Sequence, residues 1–277
     1  MIKNRDTCNY TNPMNFNSHP NKVMKIYILI LPLVLCSLIV SADYESKSLT
    51  IVAASDLKYA MDEIVDNFKF NYPDTEIKVI LGSSGNFYRQ ITKEAPFDIF
   101  FSADIFYPEQ LHAAGLTISN IKLYAIGRIV IWSSSADTRS LAIDTLKLDS
   151  VHRIAIANPK HAPYGKRAQE FLEHVNLMKE LQGKLVYGEN ISQAAHFAYS
   201  GTAQAGIIAL SLALSQQMQE KGSYWLIPEE FHKPLEQGFV LLKRAKNKPV
   251  VQQFSEYMAS KEARDILDRY GFTLPAK

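Results

Sequence analysis

From residue 48 onward, short β-branched runs alternate with stretches whose apolar residues recur every three or four positions. Strands are predicted at 49–53, 76–81, 98–102, 128–133, 153–157, 184–187, 205–209 and 238–242, where Val, Ile, Leu and Phe cluster. Helical periodicity fills most of the gaps. Over 56–70, Leu57, Ala60, Met61, Ile64 and Phe68 fall on one face, and helices are also predicted from about Asn86, over 165–175, and at 249–258 and 261–270. Such alternation predicts an α/β fold with largely parallel sheets flanked by helices. In these sheets ligands sit beyond the carboxyl ends of the strands. After residue 43 there is no internal repeat and no low-complexity stretch.

Four predicted strand ends run into helix starts through turns rich in hydrogen-bond donors: Ser55-Asp56, Gly82-Ser83-Ser84-Gly85, Pro163-Tyr164-Gly165 and Asn190-Ile191-Ser192. A helix leaves its first N–H groups unpaired, and its N-terminus carries partial positive charge, so such a turn suits an anion without any Lys or Arg. Each turn has a plainer reading. Ser55 would serve as an N-cap, Ser84 as a capping serine in a tight turn, Tyr164 as an exposed loop aromatic and Ile191 as a core residue at a helix entry. Lys58 is not the Glu or Gln of a capping box. Asp56 and Glu189 are acids near helix starts and read as structural. His161 is either solvated or a support for a closed form. Four such turns in two halves of one chain suggest a small oxyanion held between two lobes.

The first 42 residues have another character. Met24-Lys25 precede a 15-residue apolar run at 26–40, and Val40-Ser41-Ala42 supplies a cleavage site, so 24–42 reads as a cleavable signal peptide. The run is short for a membrane span and contains Pro32. Residues 1–23 read as an extension upstream of the true start. Cys8 and Cys36, the only cysteines, lie in the segment that would be removed, leaving no disulfide, thiolate metal site or Cys nucleophile. A lipid on Cys36 is disfavoured, because Leu33-Val34-Leu35 lacks the small residue expected before it. Loss of Lys3, Arg5, Lys22, Lys25 and Asp6 leaves 26 basic against 27 acidic residues, with no basic stripe for nucleic acid.

Enzyme motifs are absent from the sequence. Asn86 spoils a G-x-S-x-G elbow at 82–86, and there is neither a P-loop nor an H-E-x-x-H zinc motif. A serine hydrolase therefore remains only a remote alternative. Ferric-ion binding would favour paired tyrosines with acid or His ligands rather than serine-glycine turns.

The chain resembles the molybdate-binding periplasmic proteins. The likeness is carried by Val52-Ala53-Ala54-Ser55, by Gly82-Ser83-Ser84-Gly85-Asn86 with Arg89-Gln90-Ile91, and by the run from Ala95-Pro96-Phe97-Asp98 to Ser102-Ala103-Asp104. Asn158-Pro159-Lys160-His161-Ala162-Pro163-Tyr164-Gly165 and Arg269-Tyr270-Gly271-Phe272 extend it across 48–273. The resemblance implies a two-lobed periplasmic-binding-protein fold, each lobe a mostly parallel sheet flanked by helices, with two crossover segments as the hinge. By it, lobe one is about 48–124 plus 238–277 and lobe two about 125–237. It further implies a monomer that is not an enzyme and has no cofactor, and that captures molybdate or tungstate and passes it to an inner-membrane ABC permease with its ATPase. Sulfate, phosphate or another tetrahedral oxyanion is the alternative ligand. Ser55, Ser84, Tyr164 and Ile191 are the implied ligand residues, Ile191 through its backbone N–H. Some members place a ligand tyrosine where this chain has Ala209, and the Tyr164 hydroxyl is the candidate replacement.

Export should leave Asp43 as the mature N-terminus. N-terminal sequencing of the secreted form checks this, and lipid found on Cys36 would contradict it.

Overall fold

The computed structural model describes residues 47–134 and 141–275. The signal segment and both cysteines lie outside the described residues. Two five-stranded sheets organise the chain. The first contains β1 (Ser48–Ala54), β2 (Glu76–Gly82), β3 (Ile99–Ser102), β4 (Lys122–Gly127) and β10 (Leu235–Leu241) in the order β2-β1-β3-β10-β4. The second contains β5 (Ile129–Ser133), β6 (Ile154–Ala157), β7 (Leu185–Gly188), β8 (Ala205–Ala209) and β9 (Ser223–Leu226) in the order β7-β6-β8-β5-β9. In each sheet one strand alone runs against the rest. It is β10 in the first, antiparallel to β3 and β4, and β5 in the second, antiparallel to β8 and β9. The two-lobed, mostly parallel architecture expected from the sequence is present.

Helices α1 (Lys58–Asn71), α2 (Ser84–Ile91) and α3 (Phe106–Ala113) follow strands of the first sheet. Helices α4 (Pro163–His174), α5 (Met178–Leu181), α6 (Ile191–Ser200), α7 (Leu210–Ala213) and α8 (Gln216–Lys221) belong with the second. The chain then returns, and α9 (Pro249–Tyr257) and α10 (Lys261–Arg269) close it. Burial follows the periodicity: Ala60, Met61, Ile64, Val65 and Phe68 of α1 are buried, facing Phe254 of α9 and Ile266 and Leu267 of α10 in one core. Phe254 sits with its ring centroid 5.1 Å from that of Phe68 and 6.3 Å from that of Phe101. The second sheet has its own core around Ile131, Trp132, Ile156, Phe171 and Ile207.

The connections between sheets are short. Arg128 alone separates β4 from β5, and 227–234 joins β9 to β10. Arg128 ties these two connections together, donating to the Ile227 carbonyl at 3.1 Å and pairing with Glu229 at 2.6 Å. Strands β4 and β9 were not predicted. Ile126 is the single β-branched residue that the two hold between them, so no β-branched run marks either one.

Phe254→Ala should lower unfolding stability by about 3–5 kcal/mol, because it empties a ring-sized space in the first core. Urea denaturation reads this as a lower midpoint, and an unchanged midpoint would contradict the packing described.

Candidate functional site

The four donor-rich turns meet at the junction of the lobes. In each, a strand delivers the chain to a helix start at the strand's carboxyl end: β1 to a 3-10 turn at Ser55–Leu57, β2 to α2, and β7 to α6, while the loop after β6 leads to α4. The contacts across the junction are pairwise. The Ser55 hydroxyl donates to Asn190 Oδ1 at 3.1 Å and accepts from the Ser192 N–H at 3.2 Å, while the Ser192 hydroxyl donates to the Ser55 carbonyl at 2.8 Å. The Gly85 N–H donates to the His161 carbonyl at 2.9 Å, and Ser83 Oγ lies 3.0 Å from His161 Nδ1. Tyr164 donates its hydroxyl proton to Asp56 Oδ2 at 2.9 Å.

Ser55 is buried, and its hydroxyl does not cap its own helix, so the N-cap reading fails. The side chain reaches over to the other lobe instead. Ser84 is fully buried and opens α2. Its Oγ accepts from the Ala103 N–H at 3.0 Å, which leaves the hydroxyl proton free to be donated elsewhere. Ile191 opens α6, with Asn190 as a true N-cap that accepts from the Gln193 N–H at 3.0 Å. As first helical residues, Ser84 and Ile191 precede the first intrahelical bond, so their N–H groups face the junction without a partner from their own helix. Tyr164 is buried in the first turn of α4 rather than being a loop aromatic. Gly165 beside it is required by close packing, since a Cβ there would run into the Ala157 carbonyl.

Three groups at the junction were missed by sequence reasoning. Gln237 of β10 is fully buried, donating to Asp56 Oδ2 at 2.8 Å and to the Tyr164 hydroxyl at 3.1 Å. Tyr124 of β4 donates to Gln237 Oε1 at 2.5 Å. Gly127, at the first connection, abuts both the Tyr164 hydroxyl and the Gln237 amide, which leaves no room for a Cβ. A polar Gln inside an apolar strand was the available signal. Farther out, Arg167 of α4 pairs with Asp104 of the other lobe at 3.3 Å and with Glu170 at 2.8 Å, and donates to the Pro234 carbonyl.

Burial governs the charges here. It pushes the Asp56 carboxyl up to about 6, against weaker opposing hydrogen bonds from Gln237 and Tyr164. Burial, with the Asp56 charge beside it, raises the Tyr164 and Tyr124 hydroxyls well above their usual range. His161 is lowered, first by burial, with Glu189 opposing and Arg89 adding to the effect. His161 is therefore a cross-lobe contact through both its carbonyl and its ring. Glu189, exposed near the start of α6, lies 3.6 Å from His161 Nε2 and also accepts from Asn86 of the first lobe.

Residues 49–273 match the family model for bacterial extracellular solute-binding proteins. The chain belongs to that family. Among curated relatives, the molybdate-binding protein ModA of Rhodobacter capsulatus is 37% identical over 192 residues, covering 69% of this chain and 75% of the relative. The solved periplasmic molybdate-binding protein of Azotobacter vinelandii superposes with a TM-score of 0.78 at 30% identity, covering 82% of this chain and 100% of that one. The substrate-binding domain of a putative molybdenum ABC transporter from Clostridium difficile superposes with a TM-score of 0.62 at 27% identity, covering 83% and 99%. The fold is thus that of solute-binding proteins.

Asn190→Ala removes both the α6 cap and the acceptor of Ser55. A lost cap alone costs about 0.5–2 kcal/mol, so the variant should unfold at lower denaturant, and an unchanged midpoint would show that the cross-lobe bond carries no weight.

Proposed function

We propose that this protein captures molybdate or tungstate between its lobes and hands it to an inner-membrane ABC permease with its ATPase. The observation that carries the reading is the meeting of four donor-bearing turns, two from each lobe, at one buried junction. A tetrahedral dianion brings acceptors on every side and no proton at neutral pH. It is matched by the Ser84 hydroxyl and by first-turn N–H groups at Ser55, Ser84, Tyr164 and Ile191, with the helix termini supplying favourable potential. Ser55 and Ser84 approach from one lobe, Tyr164 and Ile191 from the other, so binding and closure are one event. The lobes, about 48–124 with 238–277 and 125–237, rock about the connections at Arg128 and 227–234. The names of the Rhodobacter, Azotobacter and Clostridium proteins support the ligand, and the last supports the importer. A periplasmic monomer without a cofactor and without catalysis fits this role.

One observation favours a second reading. Asp56 Oδ1 is buried without a hydrogen-bond partner, and such an oxygen would accept the proton of monohydrogen phosphate. The relatives named above argue for the unprotonated dianion. Calorimetric titration with molybdate, tungstate, sulfate and phosphate separates the two. Molybdate and tungstate should bind far tighter than either of the others, since a smaller tetrahedron leaves donors out of reach. Tighter phosphate or sulfate binding would overturn the assignment.

Ser84→Ala should weaken molybdate binding roughly tenfold or more, the loss of one hydrogen bond to a charged group being about 1.5–3 kcal/mol. Unchanged affinity would remove Ser84 from the ligand shell. Tyr164→Phe asks whether the hydroxyl matters as well as the backbone at that position, and binding equal to wild type would restrict Tyr164 to its N–H.

A further inference from the structure

Asp56 differs from every other cross-lobe group in being an acid with only half its carboxylate satisfied. Oδ2 accepts from Tyr164 of α4 and Gln237 of β10, and Oδ1 is buried with no hydrogen-bond partner. Its carbonyl is held from a third direction by the Ser211 hydroxyl of α7, at 2.7 Å. The residue is 1% exposed and follows Ser55 directly. The donors around Asp56, the Gln237 amide, the Tyr164 hydroxyl and the backbone at Asp56 and Leu57, do not outweigh the cost of burying its charge, and a dianion seated against the Ser55 turn would add like-charge repulsion. Among the described residues, the groups that face Asp56 offer no compensating cation. Tyr164 from α4 and Tyr124 from β4 are the titratable ones, both held neutral, while Gln237 from β10 and Ser211 from α7 carry no charge.

We propose that closure of the lobes on the oxyanion places a proton on Oδ1 of Asp56, so that capture is coupled to proton uptake. The inference rests on the reading of the junction as an oxyanion site and adds a linkage that reading does not require. One O–H bond forms on Oδ1, the proton comes from solvent or buffer, and no bond of the anion changes. Oδ2 keeps its bonds from Tyr164 and Gln237, so Asp56 acts as a positioning residue that fixes the Tyr164 ring from the opposite lobe. The direction of the pH dependence follows from burial, which raises Asp56 to about 6 in this structure, where the lobes meet over it, against 3.8 for a carboxyl open to water. The closed form therefore binds more protons between those values. Affinity should be nearly flat above pH 7, rise as pH falls through 6, and level off below the ordinary carboxylate range.

The test is calorimetry of the mature protein with micromolar molybdate at pH 6 in two buffers of different ionisation heat. Wild type should take up about half a proton per anion bound, and its affinity should be about fourfold higher at pH 5.5 than at pH 7. Asp56→Asn should bind molybdate with the same heat in both buffers and a flat pH profile. Should that variant not fold, a carboxyl-carbon NMR titration of wild-type protein with and without molybdate assigns the proton, Asp56 moving upward on binding. Equal heats for wild type in the two buffers, uptake retained by Asp56→Asn, or an unmoved Asp56 resonance would overturn the coupling while leaving the oxyanion site standing. Absence of any molybdate binding would overturn the site and the coupling together.

Discussion

A helix cannot pair the N–H groups of its own first turn, and this fold brings such turns together from two sheets. Everything at the lobe junction depends on that constraint. The parallel strands β1, β2 and β7 end against the gap, each passes into a helix or 3-10 start, and unpaired donors collect there. Buried donors without acceptors are unfavourable, so the junction must be filled by contacts between lobes or by an anion. The serine hydroxyls extend the donor set without adding charge. Neutral donors fixed by backbone suit a dianion whose protonation state does not vary near neutrality.

Burial also governs the acid at the centre of the junction. Asp56 accepts from Tyr164 of the opposite lobe and from Gln237 on the strand that returns from it, so its carboxylate joins the two lobes beside the connections between them. Gly127 lets this cluster sit against the first connection, and Arg128, next in the chain, binds both Ile227 and Glu229 of the second. The Asp56 cluster and the two connections between the lobes are thus contiguous. Arg167 with Asp104 and the His161 contacts with Ser83 and Gly85 line the junction on its other sides.

Much of the fold was legible in the sequence, for a local reason. Buried parallel strands such as β1, β6 and β8 are nearly pure apolar runs, and α1 repeats its core face strictly enough to be read residue by residue. Strands β4 and β9 escaped because Ile126 is the single β-branched residue they hold between them, which leaves no such run to read. The turns that carry the donors were also visible, since serine and glycine between a strand and a helix have a local meaning. Their partners were not. That the Ser55 hydroxyl would bond across 135 residues to Asn190 instead of capping its helix is set by how the two lobes meet, which leaves no mark within any short window. Asp56 was read as a helix-start acid for the same reason, although its surroundings come from β10, α4 and α7.

The central claim is that an oxyanion sits among these four turns and is held by neutral donors of both lobes. A crystal structure of the protein grown with tungstate, phased on the tungsten anomalous signal, tests it most directly. The account predicts one strong anomalous peak at the lobe junction, with tungstate oxygens within hydrogen-bond distance of Ser84 Oγ and the N–H groups of Ser55, Tyr164 and Ile191. A peak bound elsewhere, or a junction closed on itself at saturating tungstate, would contradict it.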